Sequence, residues 1–333
     1  MAKIAVMGAG SWGTTFAKVL VDAGNDVVLW ARKPEVAEEI NSTRRNGDYL
    51  PGINLPAGLT ATSDEAEALE GAEQVYLAIP SQTLRTNLDA WGKHIAPTAI
   101  LVSLMKGVEQ GTSLRMSEVI AEVTGFAPEQ IVVVSGPNLA GEIAVEHPTA
   151  SVAACVSRET AQIVAAASTN AYFTTFTNKD VIGTEFGGIL KNLIAVAIGI
   201  VNGVGYGQNT KASIMTRGLA EISRFAQEFG AKQKTMVGLA GLGDLIATSE
   251  SPLSRNFKAG EMLGKGYSKR EVLKRLSQTA EGLTSIGPVL QLAAARGVAM
   301  PIVEQVQAVI EGKMSPRDIA PALTHETDTP EAE

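Results

Sequence analysis

Ile4-Ala5-Val6-Met7-Gly8-Ala9-Gly10-Ser11-Trp12-Gly13-Thr14-Thr15-Phe16 is the stretch on which the reading of this chain turns. A short apolar run leads into glycines spaced Gly-x-Gly-x-x-Gly, and beyond them Phe16, Val19, Leu20 and Ala23 recur at helical spacing. The pattern predicts strand, tight turn and helix. In such a turn Gly8 permits the sharp bend, Gly10 lets the backbone approach a pyrophosphate, and Gly13 lets the helix pack on the strand. The unpaired N–H groups of the helix N-terminus then face the anion. A second apolar run, Val27–Trp30, completes the unit. The expectation is a dinucleotide site, with Ser11 and Trp12 contacting the cofactor by position.

Working outward, short apolar runs alternate with helical stretches through about residue 135. Strands are expected at Ile4–Met7, Val27–Trp30, Leu59–Thr62, Val75–Ile79, Ile100–Leu104 and Ile131–Val134. Most are continuously apolar, as suits parallel strands covered by helices on both faces. Ser151–Val156 and Tyr172–Phe176 are two further candidates, flanking a helical stretch that begins near Arg158. Beyond Asp180 the text is helical and rich in Ala, Leu and Gly, with apparent punctuation at Gly203–Gly207, Gly238–Gly243 and Gly264–Gly266. The fold class is therefore α/β, an N-terminal Rossmann-type doubly wound, mostly parallel sheet followed by an all-helical C-terminal domain. The expected divisions are 1–179, 180–323 and a disordered acidic tail, 324–333.

Bulk properties narrow the function. The 333 residues carry a net charge of −7, with 45% hydrophobic and 19% charged residues, the usage of a globular enzyme with nothing overall to attract nucleic acid or an anionic membrane. Cys155 is the one cysteine, so no disulfide framework or thiolate metal cluster can form, and a reducing compartment fits. The glycine-interrupted N-terminus does not read as a signal peptide, and the longest apolar run, Leu193–Val201, is half a membrane span. A cytoplasmic location is expected. His94, His147 and His325 show no metal-like spacing, and no metal is expected.

Individual residues then suggest chemistry. Where an NAD-selective fold carries an acid at the end of the second strand, this chain has Arg32-Lys33. The pair would attract a 2′-phosphate, so NADP(H) should be accepted alongside or ahead of NAD(H). Phe186–Ile200 reads as a helix apolar on every side with one charge, Lys191, and a lone amide, Asn192. Its helical neighbours, Gly187, Gly188, Ile194 and Ala195, cannot pair with an ammonium. Either a carboxylate arrives from elsewhere or an anionic ligand does. A lysine so placed beside a ketone can protonate the alkoxide formed as hydride reaches carbon. Asp244, in Gly241-Leu242-Gly243-Asp244-Leu245, is the best candidate partner. Ser251-Pro252-Leu253-Ser254-Arg255-Asn256 is a turn into a helix whose Arg255 and small hydroxyls suit a phosphate. Gly136-Pro137-Asn138-Leu139-Ala140 and Lys106 lie just past strand ends, where open α/β sheets bind ligands.

Taken together these segments resemble the bacterial NAD(P)-dependent glycerol-3-phosphate dehydrogenases from end to end. The resemblance rests on GAGSWGTTFA from Gly8, Lys106-Gly107, SGPNLAGEI from Ser135, the Glu185–Asn192 block, GLAGLGDLIAT from Gly238, and SPLSRN from Ser251 followed by Glu281-Gly282. It implies reduction of dihydroxyacetone phosphate to glycerol 3-phosphate for phospholipid synthesis, with NADH or NADPH, by a homodimer. It further implies Lys191 as proton donor and acceptor, and Lys106, Gly136, Asn138, Asp244, Ser254, Arg255 and Asn256 as substrate contacts. Ser11, Trp12, Arg32, Lys33, Tyr49, Lys106, Ala140, Arg255, Thr279 and Glu281 are implied on the cofactor side. Asn138 stands where many of these relatives carry Ser or Thr, which turns a hydroxyl contact into an amide contact. The competing readings are a related 3-hydroxyacid or ketopantoate-type reductase and a non-catalytic dinucleotide sensor.

Overall fold

A computed structural model describes residues 2–276 and 280–324. Its residues cluster into two units, Met1–Glu185 and Phe186–Glu333, the division falling inside a helix that begins at Val181. The expected acidic tail beyond residue 324 lies outside the described residues.

In the first unit all eight expected strands form: β1 (Lys3–Met7), β2 (Asp26–Trp30), β3 (Leu59–Thr62), β4 (Gln74–Leu77), β5 (Ile100–Ser103), β6 (Ile131–Ser135), β7 (Thr149–Ala154) and β8 (Phe173–Asn178). They make one sheet in the order β3-β2-β1-β4-β5-β6-β7-β8. Neighbours run parallel except β6 and β7, where Val133 faces Ala154 antiparallel. The continuous apolar character of β1 has the anticipated cause. Ile4 and Val6 enter one buried cluster with Phe16 and Leu20, whereas Ala5 and Met7 enter another with Trp91 and Ile120. Both faces are covered, so Ile4 to Met7 are all apolar while the pleat still alternates. Strand order reverses between β1 and β4, and at such a switch point the carboxyl ends of adjacent strands diverge and leave a crevice. Gly8, Ala78, Lys106 and Gly136 all follow the carboxyl ends of their strands on that edge.

The second unit is helical. Its long helix, Val181–Val204, has 24 residues and is long and apolar enough by composition to cross a membrane, but 83% of its apolar window is buried inside the protein. It is a core helix. Glycine explains how tightly it packs. A Cβ on Gly199 or Gly203 would stand 2.2 Å from the carbonyl oxygens of Phe257 and Glu261 respectively, and one on Gly260 or Gly264 would stand 2.1 and 2.2 Å from those of Val196 and Ile200. Glycines four apart on both helices thus form facing stripes that let the backbones touch. The sequence suggested punctuation at Gly203 and Gly264, but both lie within helices as packing positions. Their neighbours Gly205 and Gly266, at φ +97° and +92°, are the ones that turn the chain.

Candidate functional site

The fingerprint turn is built as its glycines require. Gly8 sits at φ +125°, and a Cβ there would meet the Ala78 carbonyl oxygen at 2.6 Å, so the turn can lie against the end of β4 only without a side chain. A Cβ on Gly13 would fall 1.9 Å from the Gly8 oxygen, whereas one on Gly10 would meet nothing within 4 Å. Gly10 is instead the N-cap of the helix Ser11–Asp22, open on the side where a pyrophosphate would approach a helix N-terminus. The donor set and the open face fit a dinucleotide.

Several residues named from sequence converge here. The Ser11 hydroxyl donates to the Tyr49 carbonyl at 2.8 Å, and the Thr15 hydroxyl donates to that of Ala140 at 3.3 Å. Trp12 is partly buried against Phe16, edge to face at 5.2 Å. Gly8 N–H donates to Trp30 O at 3.1 Å, which brings the end of β2 beside the turn. Arg32 and Lys33, immediately beyond, are exposed and make no ion pair among the described residues. Asn46 was missed. Fully buried, its side-chain amide donates to Ala9 O at 2.9 Å and to the Thr14 hydroxyl at 2.8 Å. Only its place three residues before Tyr49 hinted at this.

Further along the same sheet edge, Lys106 Nζ donates to Gly136 O at 3.1 Å. Asn138 accepts from the Ser151 hydroxyl at 3.1 Å through Oδ1, which leaves its Nδ2, together with Ser135 Oγ, buried without a partner among the described residues. Asn138 therefore keeps an unused donor.

In the second unit Lys191 is 6% exposed and Asp244 1%. Lys191 Nζ lies 2.8 Å from Asp244 Oδ1, so the anticipated carboxylate does arrive from elsewhere in the chain. Asp244 opens the helix Asp244–Glu250 after a wide helical turn, Leu239–Gly243. A Cβ on Gly187 would meet Ala240 O at 2.5 Å, so this glycine lets that turn press on the lysine-bearing helix. The Thr248 hydroxyl accepts from Lys191 and lies 3.2 Å from Asp244 Oδ1. Thr248 was not anticipated, although its position four residues after Asp244 places both on one helical face.

A second polar line runs beside this pair. Asn192 Oδ1 accepts from Asn256 Nδ2 at 2.8 Å, and Asn256 Oδ1 accepts from Gly282 N–H at 2.9 Å. Ser254 caps the helix Arg255–Gly264, its hydroxyl accepting from Phe257 N–H at 3.2 Å. Arg255 begins that helix within Coulombic range of Glu281. Asn192, Asn256, Arg255 and Glu281 are therefore neighbours, although far apart in sequence. Thr279 lies outside the described residues. Among the described residues no group of three His, Cys, Asp or Glu is placed to hold a metal ion.

Comparison with known proteins agrees with these features. Residues 3–161 match the family described as NAD-dependent glycerol-3-phosphate dehydrogenase N-terminus, and residues 180–321 match its C-terminus. The chain is 63% identical over 328 residues to the glycerol-3-phosphate dehydrogenase, NAD(P)+, of Leifsonia xyli subsp. xyli, covering 98% of this chain and 89% of the relative. It is 51% identical to that of Thermobifida fusca, covering 99% of each. A crystal structure of glycerol-3-phosphate dehydrogenase from Coxiella burnetii superposes with a TM-score of 0.92 at 34% identity, over 98% of this chain and 99% of that one.

Proposed function

The chain belongs to the NAD-dependent glycerol-3-phosphate dehydrogenase family and is an NAD(P)-dependent oxidoreductase acting on a CH–OH group, and from this premise we propose that it reduces dihydroxyacetone phosphate to glycerol 3-phosphate with Lys191 as the proton donor. The observation that carries the mechanism is the ammonium of Lys191 held 2.8 Å from Asp244, the one charge in the run Phe186–Ile200. When bound, the reduced nicotinamide supplies hydride to the ketone carbon. As the carbonyl π bond breaks toward oxygen, Lys191 Nζ gives that oxygen a proton, and in the reverse direction it takes the proton back. Asp244 and Thr248 hold the amine at its place, and Asp244 supplies the countercharge without which an ammonium there would be costly. Asn192, next to the lysine on the same helix, is held through Oδ1 by Asn256 and through Nδ2 by the Gly188 carbonyl.

The phosphate is assigned to Arg255 and the start of its helix, where a guanidinium donates in a fork and backbone N–H groups point outward. Lys106, Gly136 and Asn138 are the proposed substrate contacts of the first unit, and Asp244, Ser254 and Asn256 those of the second. The cofactor is assigned to Gly8, Gly10, Ser11, Trp12, Gly13, Arg32, Lys33, Tyr49, Lys106, Ala140, Arg255, Thr279 and Glu281. The net charge of −7 and single cysteine suit a cytoplasmic enzyme, and we take a homodimer as its working form.

Oxidation of NADPH or NADH by purified protein tests the reading. Turnover is expected with dihydroxyacetone phosphate and not with ketoacids. Turnover with ketoacids alone would move the chain to the carboxylate-binding reductases, and none with any ketone would leave a dinucleotide sensor.

A further inference from the structure

Asn46 holds the fingerprint turn in a way that bears on ligand binding. Its carboxamide is fully buried, yet Oδ1 has no partner among the described residues. A buried, unpaired acceptor is destabilising, a penalty that an apolar side chain of similar size would not carry. The orientation of the amide is fixed by chemistry, because the Ala9 carbonyl facing it at 2.9 Å can only accept, so the NH2 end must point there.

The consequence lies on the other side of that peptide. No peptide bond among the described residues is cis, and in a trans peptide the C=O of residue 9 and the N–H of residue 10 point in opposite directions within one plane. Fixing Ala9 O therefore aims the Gly10 N–H away from Asn46. That N–H has no hydrogen-bond acceptor among the described residues, and it belongs to the residue whose missing Cβ leaves open space for 4 Å. The same amide reaches Thr14 Oγ1 in the helix at 2.8 Å. The carbonyl of Asn46 accepts from Tyr49 N–H at 3.2 Å and Leu50 N–H at 2.8 Å, which ties in the turn whose Tyr49 carbonyl receives the Ser11 hydroxyl.

We propose that Asn46 is a positioning residue for the dinucleotide: by anchoring the Ala9 carbonyl it presets the Gly10 N–H as a donor to the pyrophosphate. The proposal rests on the dinucleotide reading of the glycine turn and deepens it. An unanchored peptide would have to be oriented at the moment of binding, and the cost would appear in cofactor affinity with the chemical step untouched.

Asn46→Leu removes both donors at similar volume, and Thr14→Val removes only the helix-side partner while keeping the Ala9 anchor. Dissociation constants for NADPH and NADH from tryptophan fluorescence should rise about 10- to 100-fold in Asn46→Leu, the worth of a lost hydrogen bond to a charged group. Its kcat at saturating cofactor and its KM for dihydroxyacetone phosphate should stay within about twofold. Thr14→Val should keep wild-type cofactor affinity even if its melting temperature falls as far. Unchanged affinity in Asn46→Leu, or equal losses in the two variants, would overturn the proposal. Should Asn46→Leu fail to fold, exchange of the Gly10 amide in the wild-type protein decides: NADPH should slow it strongly, and unaltered exchange would refute the donor role. A wild-type protein that binds no nicotinamide nucleotide would refute the dinucleotide reading itself.

Discussion

Replacing Lys191 by Met keeps the length and apolar stem of the side chain and deletes its charge. Two losses should follow, and the structure sizes both. The ammonium is 2.8 Å from Asp244 Oδ1 with both residues buried, so its removal strands a carboxylate supported by the Thr248 hydroxyl. Breaking a buried pair from one side costs about 3–5 kcal/mol of stability. Loss of a positioned general acid costs about 10²- to 10⁴-fold in kcat, which is about 3–5 kcal/mol of barrier. Because the two penalties are alike in size, a fall in activity alone would not separate proton transfer from a weakened fold. Lys191→Met/Asp244→Leu does, since removing the stranded charge as well should recover most of the stability and none of the turnover. The assay pairs urea unfolding with NADPH oxidation under saturating dihydroxyacetone phosphate, and NADPH affinity should stay within about twofold in both variants. A kcat within about tenfold of wild type in Lys191→Met, or activity that returns with stability in the double variant, would refute the assignment.

At saturating cofactor, Arg255→Ala should raise KM for dihydroxyacetone phosphate about 10- to 100-fold and leave turnover of an unphosphorylated hydroxyketone nearly unaltered, as steady-state kinetics with both substrates will show. Arg32→Ala/Lys33→Ala should raise KM for NADPH about tenfold while leaving that for NADH within about twofold, because only the former carries the 2′-phosphate. Gly260→Ala forces a methyl to within 2.1 Å of Val196 O and should cost at least about 3 kcal/mol in urea unfolding. A pH effect is expected at Glu221, which is buried while its carboxylate accepts from Ile302 and Val303 N–H at 2.9 and 3.1 Å. Burial pushes its carboxyl up to about 7, with those two N–H donors and Arg224 pulling down and Glu304 adding to the rise. The folded protein therefore binds this proton more tightly than the unfolded chain. The contribution is fully present below the ordinary value of 4.5 and is lost as pH rises toward 7, about 3 kcal/mol in all. Glu221→Gln should flatten that slope.

Most of this architecture can be read along the chain because its signals are local. Strand, glycine turn and helix between Ile4 and Leu20 depend on neighbours a few residues apart, and the continuously apolar strands announce a sheet covered on both faces. A charge alone in the apolar run Phe186–Ile200 is equally legible, which is why the sequence singles out Lys191. Pairing is a different matter, because a hydrogen bond between Asn192 and Asn256, or between Asn46 and Ala9, joins positions that no periodicity connects. Thr248 and Asn46 look like ordinary polar residues until folding buries them. Glycine shows the same division: Gly8 bends a turn for reasons visible within its own motif, whereas Gly260 is glycine because the backbone of a helix some sixty residues earlier in the chain presses against it. Local order follows from propensity and period, while close approach between distant segments depends on which surfaces meet once the chain has collapsed.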